Sequence, residues 1–144
     1  MSIANNKKAF YEYHILEEFD AGIVLLGSEV KSIRMNNVTL SDSFIYIKDG
    51  EVWIKNLKVA RYKQAHRLEI HDENRDKKLL LTKKQIEKIG KSLHDTGITC
   101  IPLSIFIKNN KIKVKIGIAK GKKLWDKRSS IKERDIKRDL QRSV

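Results

Sequence analysis

Residues 111–118 alternate strictly. Lys111, Lys113 and Lys115 hold one set of positions, and Ile112, Val114, Ile116 and Ile118 hold the other. Successive side chains of a strand point to opposite faces, so this segment reads as a strand with one face buried and the other in solvent. Asn109-Asn110 precedes it, after an apolar run at residues 99–107, and the two runs predict an antiparallel hairpin. Same-face residues of a strand lie roughly 6.6 Å apart, so three ammonium groups line one exposed surface. That surface fits either an ordinary solvated strand face or a phosphate-binding one.

The rest of the chain supplies more of the same material. Phe44-Ile45-Tyr46-Ile47 and Val52-Trp53-Ile54 flank Asp49-Gly50, which predicts a second hairpin whose return strand runs to about Val59. Residues 11–26 are rich in strand formers and read as two strands around a bend at Asp20-Ala21-Gly22. Gly27-Ser28, with Glu29 in the first turn, predicts a short helix that turns Val30 and Ile33 inward and ends near Asn36-Asn37. Residues 1–9 read as a polar arm, and residues 60–77 as a long loop. Residues 78–81 form a short apolar strand. Thr82 to Gln85 then fits a capping box, with Ile86, Ile89 and Leu93 at helical spacing and Gly97 as a stop. The expected fold class is mainly β with short helices: an OB-like closed β-barrel over residues 1–119, with flanking α-helices and a basic C-terminal tail over residues 120–144.

The tail carries ten Lys or Arg against four Asp or Glu, so it supplies +6 of the formal +13 and the body +7. Leu124, Trp125, Ile131, Ile136, Leu140 and Val144 are scattered among these charges, too few to offset the entropy of ordering, and the free tail is expected to be disordered. Ser130 to Glu133 is nevertheless a capping box, and Glu133 with Lys137 is a favourable i,i+4 pair, so the tail is written to become helical on a polyanion. Trp125, between two basic clusters, suits stacking on a base; packing against the body near Ile118 is the alternative. Basicity in both parts points to nucleic acid before an anionic membrane.

Enzyme signatures are sparse. The chain has no P-loop, no G-x-S-x-G and no dinucleotide fingerprint. His14, His66, His71 and His94 stand at no zinc-ligand spacing, and the one cysteine, Cys100, lies in an apolar run as a small core residue. Glu17, Glu18 and Asp20 cluster at an expected strand end and could do acid/base work, though such a cluster is more often a polar turn or a set of acceptors for base or sugar edges. The N-terminus has no apolar h-region and no run is long enough to cross a membrane, so a soluble cytoplasmic protein is expected.

An ordered set of motifs is more specific than any of these: Asn6-Lys7-Lys8-Ala9, Glu18-Phe19-Asp20-Ala21-Gly22, Glu29-Val30-Lys31-Ser32, Asp42-Ser43, Gly50-Glu51-Val52, Lys78-Leu79-Leu80-Leu81, Gly117-Ile118-Ala119-Lys120-Gly121-Lys122-Lys123, Asp126-Lys127-Arg128 and Ile131-Lys132-Glu133-Arg134. Together they resemble the small protein B, or SsrA-binding protein, family over nearly the whole chain. The resemblance implies an OB-like barrel that binds the tRNA-like domain of tmRNA, promotes its aminoacylation and delivers it to stalled ribosomes for trans-translation. It implies no catalysis, no cofactor and no metal. It also implies a monomer in the RNA complex, and a tail that turns helical in the decoding centre and mRNA channel of the small subunit. Asn6, Tyr13, Asp20, Leu80 and Lys113 match positions implicated in tmRNA binding; Glu29, Lys31, Arg34 and Arg75 are expected to help shape that face. Gly121, Lys122, Lys123, Trp125, Asp126, Lys127, Arg128, Ile131, Lys132 and Arg134 fall in the expected ribosome-binding tail. Asp20 stands where Glu is more usual, Trp125 where His or Tyr is more common, and residues 72–76 lack the usual Pro. The rival readings are a generic OB-type RNA chaperone and a small metal-dependent nuclease using the carboxylates near Asp20.

Overall fold

The computed structural model describes residues 2–61 and 71–122. Among the described residues nine strands and three helices follow in the order β1 (Ser2–Asn5), α1 (Lys7–Glu12), β2 (Tyr13–Ile23), α2 (Gly27–Arg34), β3 (Val38–Thr39), β4 (Phe44–Lys48), β5 (Glu51–Lys55), β6 (Lys58–Val59), β7 (Lys77–Leu80), α3 (Lys83–Leu93), β8 (Ile98–Lys108) and β9 (Lys111–Gly121). Seven strands form one antiparallel sheet in the order β1-β8-β9-β2-β7-β5-β4, and β3 pairs with β6 in a small second sheet.

Both expected hairpins form. Asn109 and Asn110 have φ of 52° and 61°, and Asp49 and Gly50 have 53° and 75°. Two successive left-handed residues match the right-handed twist of the flanking strands, which is why these Asn-Asn and Asp-Gly pairs sit there. The alternation of β9 is realised: Ile112, Val114, Ile116 and Ile118 are buried while Lys111 lies in solvent and Lys113 and Lys115 are half-buried. They join Phe19, Ala21, Ile33, Ile54, Leu79, Ile89, Cys100 and Ile105 in one core under the curled sheet. Burial pushes the Cys100 thiol up to about 12.

Four expectations change. The sheet is OB-like but not closed: it curls until β4 lies against β8, and no hydrogen-bond ladder joins them, so β1 and β4 remain edges among the described residues. Residues 11–26 hold one long strand rather than two, because Gly22 pairs onward with Leu80 instead of turning, and the only irregularity is a bulge between Ile15 and Glu17. The polar arm is structured. Ser2–Asn5 adds a strand to β8, and Asn6 caps α1, its Oδ1 accepting from the Ala9 N–H. The return strand of the Asp49-Gly50 hairpin stops at Lys55, and β6 crosses to β3.

α3 begins as expected. Thr82 Oγ1 accepts from the Gln85 N–H, and Gln85 Oε1 accepts from the Thr82 N–H. Pro102 lies in β8 at a register shift, where a missing N–H is tolerated, and its carbonyl accepts from Asn6 Nδ2 at 2.8 Å. The segment from Lys123 onward, which holds the expected stacking residue and conditional helix, lies outside the described residues, as does His66.

Candidate nucleic-acid interface

Register brings three sequence-distant residues into one row. Gly22 of β2 stands opposite Leu80 of β7 on one side and opposite Lys113 of β9 on the other. Asp20, two residues before Gly22 and on the same outward face, stands opposite Lys115. Leu80 is 54% exposed, too much for a leucine placed to fill a core. Gly22 leaves the middle of the row without a side chain; a Cβ there would come within 3.2 Å of the Leu80 Cβ. The row forms the wall of an open groove of about 420 Å³, lined also by Arg34, Val30, Asn110 and Lys111. Arg34, at the end of α2, reaches the groove by donating from Nη2 to the Asn110 carbonyl at 3.2 Å.

The lysine face is not uniformly free. Lys115 lies 3.9 Å from Glu18 and Lys78 lies 3.1 Å from Glu51, whereas Lys113 has no ion-pair partner among the described residues. A half-buried ammonium beside an exposed leucine and a bare glycine can hold a phosphate while the apolar surface meets sugar or base. Of the expected RNA-contacting residues, Asp20, Arg34, Leu80 and Lys113 therefore share one surface, with Lys31 exposed on the neighbouring helix.

Four others, Asn6, Tyr13, Glu29 and Arg75, do not share it. Glu29 is fully buried at the start of α2; Arg75 Nη2 donates to its Oε1 at 2.6 Å, and the Leu26 N–H to the same oxygen at 2.7 Å. Lys77, also fully buried, lies 3.6 Å from Glu29 Oε2 and donates to the carbonyls of Leu57 and Arg75. Burial alone would raise the Glu29 carboxyl; the Arg75 hydrogen bonds, the Leu26 N–H and the nearby Lys77 charge outweigh it and hold it below the usual range. Burial lowers the Lys77 ammonium despite Glu29 beside it. Arg75 also donates to the carbonyls of Val24 and Asp76. Glu29 and Arg75 thus fasten residues 71–76 to α2. Asn6 has both ends of its side chain engaged within the protein, as the cap of α1 and as a donor to Pro102.

Sequence reasoning missed His71 in the same assembly. It is buried, its Nε2 meets the Val59 carbonyl at 2.9 Å, and its Nδ1 meets Ser28 Oγ at 2.8 Å. A carbonyl can only accept, so Nε2 carries hydrogen and, in the neutral ring, Nδ1 accepts from Ser28. Within residues 60–77, expected to be a polar loop, His71 and Lys77 are buried, and no local pattern marks them.

Tyr13 lies at the opposite end of the long strands. It pairs with Gly121 and packs beside Ala9, Ile101, Leu103 and Ala119. The Lys122 N–H donates to the Glu12 carbonyl at 2.8 Å, and Lys122 Nζ to the Phe10 carbonyl at 3.2 Å. The root of the tail is thereby tied to α1. Lys113 and Gly121 are eight residues apart along β9, about 27 Å at the rise of an antiparallel strand.

Glu17 lies 2.5 Å from Lys88 of α3, in the body of β2 rather than at a strand end. Among the described residues no three His, Cys, Asp or Glu are grouped to hold a metal ion, so the metal-dependent nuclease reading finds no site there. No helix among them is long and apolar enough to cross a membrane.

An open antiparallel OB-like sheet, with a lysine- and arginine-edged groove at the Gly22–Lys113 end of its strands and a basic segment following its other end, is the architecture of a small nucleic-acid-binding β protein. The chain belongs to the SmpB protein family, whose model matches residues 3–144. It is 49% identical over 141 residues to the SsrA-binding protein of Sulfurihydrogenibium sp., covering 98% of this chain and 92% of that one. It is 46% identical over 142 residues to the SsrA-binding protein of Treponema denticola, covering 99% and 92%. A chain of a solved structure, described as tmRNA-SmpB on a journey to the center of the bacterial ribosome, superimposes with a TM-score of 0.72 at 36% identity, covering 86% of this chain and 87% of that one.

Proposed function

We propose that this protein binds tmRNA through its tRNA-like domain, promotes its aminoacylation and delivers it to stalled ribosomes for trans-translation. Likeness over nearly the whole chain to SsrA-binding proteins, and over most of it to an SmpB chain described with tmRNA and the ribosome, supports the reading. The observation that carries it to particular residues is the Leu80–Gly22–Lys113 row, an exposed surface with no role in the core, about 27 Å along β9 from the root of the tail. Arg34, Leu80 and Lys113 line the RNA-contacting groove, and Asp20 lies beside it on the same face of β2. Asn6, Glu29 and Arg75 act by holding that surface in shape. Gly121 and Lys122 set where the tail departs, and Lys123, Trp125, Asp126, Lys127, Arg128, Ile131, Lys132 and Arg134 engage the small subunit.

The protein works as an adaptor rather than as a catalyst, in the cytoplasm where ribosomes translate. The test is identification of the RNA that copurifies with the full chain. Enrichment of tmRNA over bulk tRNA is expected. An RNA population matching the cell's bulk would favour the generic OB-type binder and overturn the specific reading.

A further inference from the structure

The outward face of the sheet does not stop at the groove. Lys78 and Leu80 are two residues apart on β7 and share that face; Lys78 stands opposite Trp53 of β5, and Trp53 opposite Tyr46 of β4. A second row, Tyr46–Trp53–Lys78, therefore adjoins the Leu80–Gly22–Lys113 row, about 7 Å away along the strand. Phe44 extends it on the same face of β4: it is 38% exposed, and its ring centroid lies 6.5 Å from that of Tyr46. None of these rings belongs to the buried core, and Tyr46 and Trp53 are half-buried on the outward face. Ile45, Val52 and Ile54, the alternate residues of the same hairpin, are the ones buried in the core.

Tyr46 is fixed in place: its hydroxyl donates to Asp76 Oδ2 at 2.8 Å, which satisfies the carboxylate and raises the phenol above its ordinary range. Exposed Lys48 and Lys55 flank the rings on their own strands. We infer that Trp53, with Tyr46 and Phe44, is a stacking platform for unpaired bases of the same RNA, extending the interface from the groove onto the β4–β5 hairpin. The inference rests on the proposed function. Its physical ground is that splayed bases stack on aromatic side chains presented by a sheet, that such stacking tolerates sequence, and that rings already held in place lose little freedom on binding. Continuity with the groove decides for RNA over a protein partner, because one strand bound at Lys113 and Leu80 reaches Trp53 without leaving the sheet.

The chain has two tryptophans, Trp53 and Trp125. The full-length Trp125→Phe protein therefore reports Trp53 alone, and its affinity for a synthetic tRNA-like domain of tmRNA is measured first. Titration with that RNA should quench Trp53 emission at the concentration where binding is seen by anisotropy. Trp53→Ala in the same background should weaken binding by about fivefold or more, the lower end of the stacking range, while Trp53→Phe should retain most of the affinity. If Trp53→Ala does not fold by circular dichroism, the quenching and Trp53→Phe measurements decide. Tight RNA binding with unchanged emission would overturn the platform and leave the proposed function intact. A change seen only when ribosomes are added would overturn it in favour of a ribosomal contact. No RNA binding by the unsubstituted full chain would overturn the proposed function, and the platform with it.

Discussion

Arg75 meets Glu29 at 2.6 Å, and the carboxylate it meets is fully buried. Two residues expected to help shape the RNA face are partners in an internal clamp, with Lys77 at its back. Breaking a buried ion pair from one side leaves the other charge uncompensated, at a cost of about 3–5 kcal/mol. Glu29→Ala should therefore lower stability by about that amount in urea denaturation, with RNA affinity falling only as far as folding does. Lost RNA affinity at unchanged stability would make Glu29 a direct contact.

The same clamp sets an acid limit. Glu29 titrates below its ordinary value of 4.5 in the folded protein, so the unfolded chain takes up the proton first as pH falls. Its contribution is complete above about pH 4.5 and is lost as pH falls through the folded value. Denaturation free energy measured from pH 6 downward should decline in that window more steeply for the native chain than for Glu29→Gln. Parallel curves would contradict the assignment.

Lys113 should behave as a phosphate contact. Lys113→Ala is expected to reduce the salt slope of RNA binding by about one and to weaken affinity for all sequences alike. An unchanged slope would return Lys113 to the ordinary solvated face of β9.

Gly22 keeps the groove open. Gly22→Val adds bulk where even a Cβ lies 3.2 Å from Leu80, so it should cut RNA affinity by tenfold or more while the core, on the opposite face of the sheet, stays folded. By contrast, Gly117→Ala puts a Cβ 2.9 Å from Leu103 Cδ1 and 3.1 Å from Ile15 Cγ2, and should cost stability, by about 1–3 kcal/mol. Thermal melts with RNA titrations separate the two outcomes; a shared phenotype would contradict the difference in surroundings.

Much of this was legible in the sequence because it depends on local rules. The alternation at Lys111 to Ile118, the left-handed pairs Asn109-Asn110 and Asp49-Gly50, and the Thr82 capping box each need only neighbours within a few residues. The errors came from long-range pairing. Asp20-Ala21-Gly22 looks like a bend until Leu80 and Lys113 are seen to pair on either side of Gly22. Asn6 looks like an exposed polar residue until Pro102 takes its amide. Whether a charged residue faces RNA or a buried partner depends on contacts 46 residues apart, as for Glu29 and Arg75. Closure of the barrel likewise depends on how far the sheet curls, which no local pattern encodes.

The central claim is a division of labour along β9, with an RNA groove near Lys113 and a tail rooted at Gly121. A protein ending after Lys122 keeps every described contact, including the anchoring of Lys122 to Glu12 and Phe10. Its affinity for the tRNA-like domain of tmRNA and its support of peptide tagging on stalled ribosomes should be measured side by side with the full chain. Nearly full RNA affinity with tagging abolished is expected. Lost RNA affinity with tagging preserved would contradict it.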